Sequence, residues 1–215
     1  MIKAAEAMVK CLAHEGIKVV FGYPGAAICP FYDALYASDI HHVLVRHEAN
    51  AGHAASGYAR ITNKPAVCIA TSGPGATNLL TAIATAYADS IPLVCITGQV
   101  STDQIGGDVF QEADITGAAE PFVKHSYLVL DARDLPRIIK EAFYLAVSGR
   151  PGPVVVDIPK NIQQAFYDFG QKGKSPKEQN CRKVVLGCTD NIRATVALAE
   201  CYRRSAINIK IYLYF

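Results

Sequence analysis

Apolar and polar positions along this chain alternate between a helical and a strand period. Over residues 3–14, Ala4, Ala7, Met8, Cys11 and Leu12 recur three and four apart, which predicts an amphipathic helix stopped by Gly16. Val19-Val20-Phe21 reads as a short strand broken by Gly22-Tyr23-Pro24-Gly25, and 30–36 as a helix. Val43-Leu44-Val45, entered from His42, reads as a buried strand, followed by a helix over 49–61 built largely of Ala, Gly and Ser. Ala66-Val67-Cys68-Ile69-Ala70 and Leu93-Val94-Cys95-Ile96-Thr97 are almost continuously apolar, as parallel strands covered on both faces should be. Between them Ser72-Gly73-Pro74-Gly75 is a tight turn and 76–88 a helix. A helix over 135–147, opened by Asp134 and closed by Gly149, leads to a strand at Val154-Val155-Val156-Asp157-Ile158. Repeated strand–helix–strand units with short links predict an α/β fold, a doubly wound parallel sheet with helices on both faces.

The pattern changes beyond 165. Residues 166–188 are polar and basic without apolar period, which predicts a linker after a domain at 1–165. A helical pattern at 191–203 and a strand-like tail from Ile207 to Phe215 then read as the start of a further domain at 189–215. A strand needs partners, so the chain is expected to be truncated.

Composition narrows the function classes. Of 215 residues, 51% are apolar and 19% charged, enough for a substantial core. Lys and Arg number 21 against 19 for Asp and Glu, so no attraction to nucleic acid or a membrane surface follows from charge. The apolar runs are too short to span a bilayer. No signal-peptide or transit pattern opens the sequence, and the seven cysteines form no framework or metal-ligand spacing. The expectation is a cytoplasmic protein with reduced thiols and no metal ligands of its own.

Candidate chemistry gathers where predicted strands end, the usual place for ligands in open α/β sheets. Arg46-His47-Glu48 follows one strand, and Glu48 is the best catalytic candidate; its plain alternative is a partly exposed first-turn carboxylate favoured by the helix dipole. The turns at Gly22-Tyr23-Pro24-Gly25 and Ser72-Gly73-Pro74-Gly75-Ala76-Thr77-Asn78 join strands to helices. Neither has dinucleotide spacing, and the second lacks both the Gly-x-Ser-x-Gly order and a P-loop lysine. The long loop from Gly98 to Glu112 is polar with an aromatic tip; Phe110 there serves equally well as a core anchor or a functional residue. Two helices of small residues suggest a face covered by a partner chain.

Together these segments resemble the N-terminal, pyrimidine-binding domain of thiamine-diphosphate enzymes, in particular the acetolactate (acetohydroxyacid) synthase large subunits. The matching residues include Gly22 to Gly25, Arg46-His47-Glu48, Gly57-Tyr58-Ala59-Arg60, Thr71 to Asn78, Thr97-Gly98-Gln99-Val100, Phe110-Gln111-Glu112 and Ser148 to Val154. The resemblance implies a thiamine-diphosphate-dependent transferase that decarboxylates pyruvate and joins the two-carbon unit to a second 2-oxo acid, in branched-chain amino acid biosynthesis. It gives Glu48 the task of hydrogen-bonding N1′ of the aminopyrimidine, so that the 4′-nitrogen can take the C2 proton. It places Tyr23, Pro24, Gly25, Pro74 and Asn78 along the cofactor cleft, Phe110, Gln111 and Lys160 in the substrate channel, and Arg150 against FAD. FAD and Mg²⁺ are implied only for a full-length enzyme, as are a homodimer or higher oligomer and a regulatory subunit. The isolated chain is expected to be inactive. Ala26, Ala49, Asn50 and Ser101 depart from the family pattern. A related 2-oxo acid decarboxylase or glyoxylate carboligase, or a non-catalytic interaction module, are the alternatives.

Overall fold

Six parallel strands form the centre of the structure, a computed structural model that describes residues 1–167. The remainder of the predicted linker, the helix at 191–203, the tail strand and the further domain at 189–215 lie outside the described residues. The elements run β1 (Ile2–Lys3), α1 (Ala4–His14), β2 (Val19–Gly22), α2 (Cys29–Tyr36), β3 (His41–Leu44), α3 (Glu48–Thr62), β4 (Ala66–Ala70), α4 (Pro74–Asn78) and α5 (Leu80–Ala88). They continue with β5 (Leu93–Gln99), α6 (Ile115–Ala119), β6 (His125–Leu128), α7 (Leu135–Val147), β7 (Val154–Pro159), α8 (Lys160–Gln164) and β8 (Phe166–Tyr167).

The sheet order is β3-β2-β4-β5-β7-β6, and β1 pairs separately and antiparallel with β8. Period-two alternation along the central strands sends side chains into two cores. Val67, Ile69, Val94, Ile96, Val154 and Val156 join Met8, Leu12, Phe31 and Leu135 on the face covered by α1, α2, α7 and α8. Cys68, Ala70, Cys95 and Val155 join Ala51, Ala55, Leu79, Ile83 and Ile115 on the other, under α3, α5 and α6. This is the doubly wound sheet that the sequence predicts.

Three local expectations need correction. Val43 and Leu44 do not lie in a buried strand: among the described residues β3 is an edge strand paired only with β2, and Leu44 is 51% exposed. The single helix expected over 76–88 is two, α4 and α5, meeting at Leu79. The β6 strand, α6 and α8 were not indicated by the apolar pattern. The small residues of α3 are largely consumed within the chain. Ala51, Gly52, Ala55 and Ala59 are buried, and Gly52 packs so tightly on Ala82 of α5 that no Cβ fits between them.

Among the described residues no helix is long and apolar enough to cross a membrane. No group of three or more His, Cys, Asp or Glu among them is arranged to hold a metal ion.

Candidate active site

The topology selects one place for a ligand. From β2 the chain goes outward to β3, whereas from β4 it proceeds the other way to β5. The strand order therefore reverses between β2 and β4, and the carboxyl ends of these two strands bound a crevice of the kind in which open α/β sheets bind ligands. The turn after β2 carries Tyr23, Pro24 and Gly25; the turn after β4 carries Ser72 to Gly75. The two rims touch. Ala27 N–H donates to Thr71 Oγ1 at 3.2 Å, and a Cβ on Gly25 would lie 2.5 Å from the Thr71 side chain.

Glu48 enters this crevice from the start of α3. His47 is the N-cap in extended backbone, and its Nδ1 accepts from Ala49 N–H at 3.2 Å. This cap leaves Glu48 as the first helical residue, and it is only 9% exposed, so the plain reading as a solvent-facing first-turn carboxylate does not hold. Asn78 Nδ2, at the end of α4, donates to Glu48 Oε2 at 2.9 Å. Glu48 Oε1 has no hydrogen-bond partner among the described residues and is not sealed off. It lies 3.3 Å from the position a Cβ on Gly75 would take. The result is a buried carboxylate with one oxygen held by Asn78 and the other, beside a glycine, without a hydrogen-bond partner among the described residues.

The loop after β5 closes over the second turn. Gly73 has φ +59°, and a Cβ there would meet the carbonyl oxygen and Cα of Gln111 at 2.7 and 2.8 Å. Within the loop, Glu112 accepts from Gly106 N–H and, at 3.1 Å, from Val109 N–H. These backbone donors, Gly106 foremost, hold its carboxyl below the usual carboxylate range. Phe110 is 87% exposed, which rules out the core-anchor reading. Thr102 and Asn161 exchange two hydrogen bonds, of 3.0 and 2.8 Å, tying the loop's start to α8, where Lys160 is the first residue.

The structure thus brings Glu48, Asn78, Pro74, Gln111 and the Tyr23-Pro24-Gly25 turn around one crevice. Lys160 stands at the end of β7, next to Asn161. Arg150 is engaged elsewhere: its Nε donates to Ser90 Oγ at 2.8 Å and its Nη2 to the Tyr87 and Ala88 carbonyls at 3.0 Å, capping α5.

Sequence reasoning passed over the polar residues that hold the crevice together. Gln163 Nε2 donates to the Ala27 and Ile158 carbonyls at 2.8 Å, bracing the first turn from α8. Asp157, 1% exposed on β7, accepts from Thr97 Oγ1 at 2.6 Å and Gln99 Nε2 at 2.9 Å. A lone aspartate in the run Val-Val-Val-Asp-Ile was the available signal. Burial pushes its carboxyl up to about 7, against the two hydrogen bonds that act to lower it; the charge of Asp114 adds to the rise.

An unfolded aspartate ionises near pH 4 (about 3.9). Between that value and about 7 the folded chain binds the extra proton, so this group's contribution to stability falls as pH rises through the window. Asp157→Asn removes the titration. Its stability relative to the parent should rise between about pH 5 and about pH 8, read as urea midpoints. Parallel pH profiles would show that Asp157 does not titrate there.

Comparison with known proteins gives this crevice a family. Residues 2–118 match the family described as "Thiamine pyrophosphate enzyme, N-terminal TPP binding domain". The chain is 58% identical over 168 residues to the acetolactate synthase isozyme 2 large subunit of Escherichia coli, covering 78% of this chain and 31% of that protein. It is 56% identical over 166 residues to the acetolactate synthase large subunit of Corynebacterium glutamicum, covering 77% and 26%. It is 53% identical over 168 residues to a probable acetolactate synthase large subunit of Methanocaldococcus jannaschii, covering 78% and 28%. The chain therefore spans less than a third of the length of these curated relatives. With the matched region containing Glu48, Asn78 and both rims of the crevice, the chain belongs to the thiamine pyrophosphate enzymes, as their N-terminal TPP-binding domain.

Proposed function

We propose that this chain supplies the pyrimidine-binding half of an acetolactate synthase-type active site, acting on pyruvate and a second 2-oxo acid. The observation that carries the reading is the buried Glu48 carboxylate at the switch point of the sheet, with Oε2 held by Asn78 and Oε1, beside Gly75, unpartnered among the described residues. The residues fit thiamine diphosphate in kind. Glycines 25 and 75 let Thr71 approach and Gly73 lets the Gln111 backbone approach, so that both turns and the loop close in around the Glu48 carboxyl.

Bound thiamine diphosphate supplies a carbon nucleophile and an electron sink for decarboxylation. Glu48 holds and shares the proton at N1′ of the aminopyrimidine, which is the general acid–base task of this side chain. Asn78 fixes its carboxyl group through Oε2. Tyr23, Pro24, Gly25 and Pro74 border the pyrimidine, while Phe110, Gln111 and Lys160 border the substrate channel. In this reading Mg²⁺ and the diphosphate are held by residues that the rest of a full-length enzyme supplies. FAD contact by Arg150, homo-oligomerisation, a regulatory subunit and a cytoplasmic location complete the reading, and the chain alone is inactive.

A chimera tests it. Residues 1–165 would replace the matching segment of the Escherichia coli isozyme 2 large subunit, to which the chain is 58% identical. The chimera should form acetolactate from pyruvate, and the mixed product when 2-oxobutyrate is added. A folded, cofactor-loaded chimera inert toward both would overturn the proposal.

A further inference from the structure

The loop over 100–113 is held at both ends by one side chain. Where it leaves β5, Val100 N–H donates to Gln99 Oε1 at 2.9 Å. Where it returns toward α6, Gln99 Nε2 donates to the Ala113 carbonyl at 2.8 Å. The same nitrogen donates to Asp157 Oδ2 at 2.9 Å, and Asp157 Oδ1 accepts from Thr97 Oγ1 at 2.6 Å. A primary amide nitrogen carries two hydrogens, so both are committed, one to the sheet and one to the loop. Val100 N–H takes the oxygen end of the Gln99 amide, so the nitrogen end is the one turned to Asp157 Oδ2. Gln99 and Asp157 are both buried, where a hydrogen bond left unmade is costly.

The loop's other ties do different work. Asn161 fixes Thr102 near the departure point, and Glu112 organises residues 106–109 from within. Among the described residues, the side-chain tie from the sheet to the returning end is that of Gln99 to Ala113. Since Gln111 lies against Gly73, a shift of that end moves the loop relative to the crevice.

We infer that Gln99 is a positioning residue for the loop that carries Phe110 and Gln111, and that Asp157, braced by Thr97, sets the orientation in which Gln99 acts. The loop geometry stands on its own; its bearing on catalysis rests on the channel role proposed above for Phe110 and Gln111.

The test is a charge swap read by hydrogen exchange in the 215-residue chain. Gln99→Glu removes the amide donor to both Asp157 and Ala113 and brings two carboxyl groups together. Combining it with Asp157→Asn restores a donor–acceptor pair across β5 and β7, because the new amide at 157 donates to the new carboxylate at 99. It restores nothing at Ala113, where a carboxylate now faces a carbonyl. The double variant should regain the urea midpoint lost by Gln99→Glu, while amides over 104–115 exchange about tenfold faster than in the parent and those of β4 stay unchanged.

Recovery of loop protection together with stability would overturn the inference, since Gln99 would then serve the sheet alone. Unchanged protection in Gln99→Glu would do the same. Failure of the double variant to fold also counts against it, because the sheet-side pair is held to suffice for the fold. In the chimera the double variant should raise the pyruvate KM several-fold with a smaller change in kcat. If the loop loosens and that KM stays within about twofold, the channel role of Phe110 and Gln111 fails and the Gln99 tie stands.

Discussion

Replacing Glu48 by glutamine in the chimera should lower the turnover of pyruvate by roughly two to four decades, the range expected for loss of positioned acid–base assistance. The substitution is close to isosteric, and the amide oxygen still accepts the 2.9 Å bond from Asn78 Nδ2. The fold and the orientation of residue 48 are therefore kept. An NH₂ group then occupies the unpartnered side beside Gly75, and it can neither accept nor release a proton at N1′. The defect should fall on kcat, with the thermal midpoint moved by little and the aminopyrimidine still bound. Steady-state kinetics with pyruvate, alongside cofactor affinity by fluorescence quenching, separate these effects. Activity within about tenfold of the parent would remove Glu48 from the proton path.

Gly73→Ala should be the most destabilising single-methyl change at the crevice, at about 2–6 kcal/mol. Two costs add there. Gly73 sits at φ +59° and ψ −125°, a region that L-residues avoid at a cost of about 1–3 kcal/mol. The new methyl also meets the backbone of Gln111 at 2.7 Å, and a main-chain atom cannot rotate aside as a side chain could. Over-packing of this kind costs about 1–3 kcal/mol more. Urea denaturation of the 215-residue chain gives the number directly. A loss below about 1 kcal/mol would mean that the loop over 100–113 does not rest on the second turn.

The parts of the fold that could be read from the sequence are those where one interaction dominates. Strands β4, β5 and β7 are buried on both faces, so their runs of Val, Ile, Cys and Ala announce themselves. Among the described residues strand β6 is bonded only to β7, and its sequence His-Ser-Tyr-Leu carries no comparable signal. Strand β3 fails in the opposite sense: its apolar residues look like core, and only the sheet order reveals an edge. The break between α4 and α5 at Leu79 follows no Gly or Pro at that position, so no local punctuation marks it.

Glu48 was legible because a strand end, a charge and a helix start coincide within a few residues. The same holds for Asn78 and Gln111 only through the family resemblance. Their approach to the crevice depends on contacts between segments 30 or more residues apart, such as Asn78 with Glu48. The Gln99–Asp157 pair spans 58 positions and depends on the register Thr97↔Asp157 between β5 and β7. A hydrophobic pattern does not specify which residue of one strand stands opposite which residue of another.

The hydrogen bond from Ala27 N–H to Thr71 Oγ1 joins the two rims of the crevice across 44 positions of chain. Its consequence is thermodynamic. With the rims already fastened in the free protein, the width of the crevice is set during folding, and a guest need not draw two loose segments together. The entropy of ordering that would otherwise be charged to association belongs to the folding equilibrium. A calorimetric titration of the aminopyrimidine into the assembled enzyme should then show a heat-capacity change matching the surface the guest itself covers, with no surplus from loop ordering.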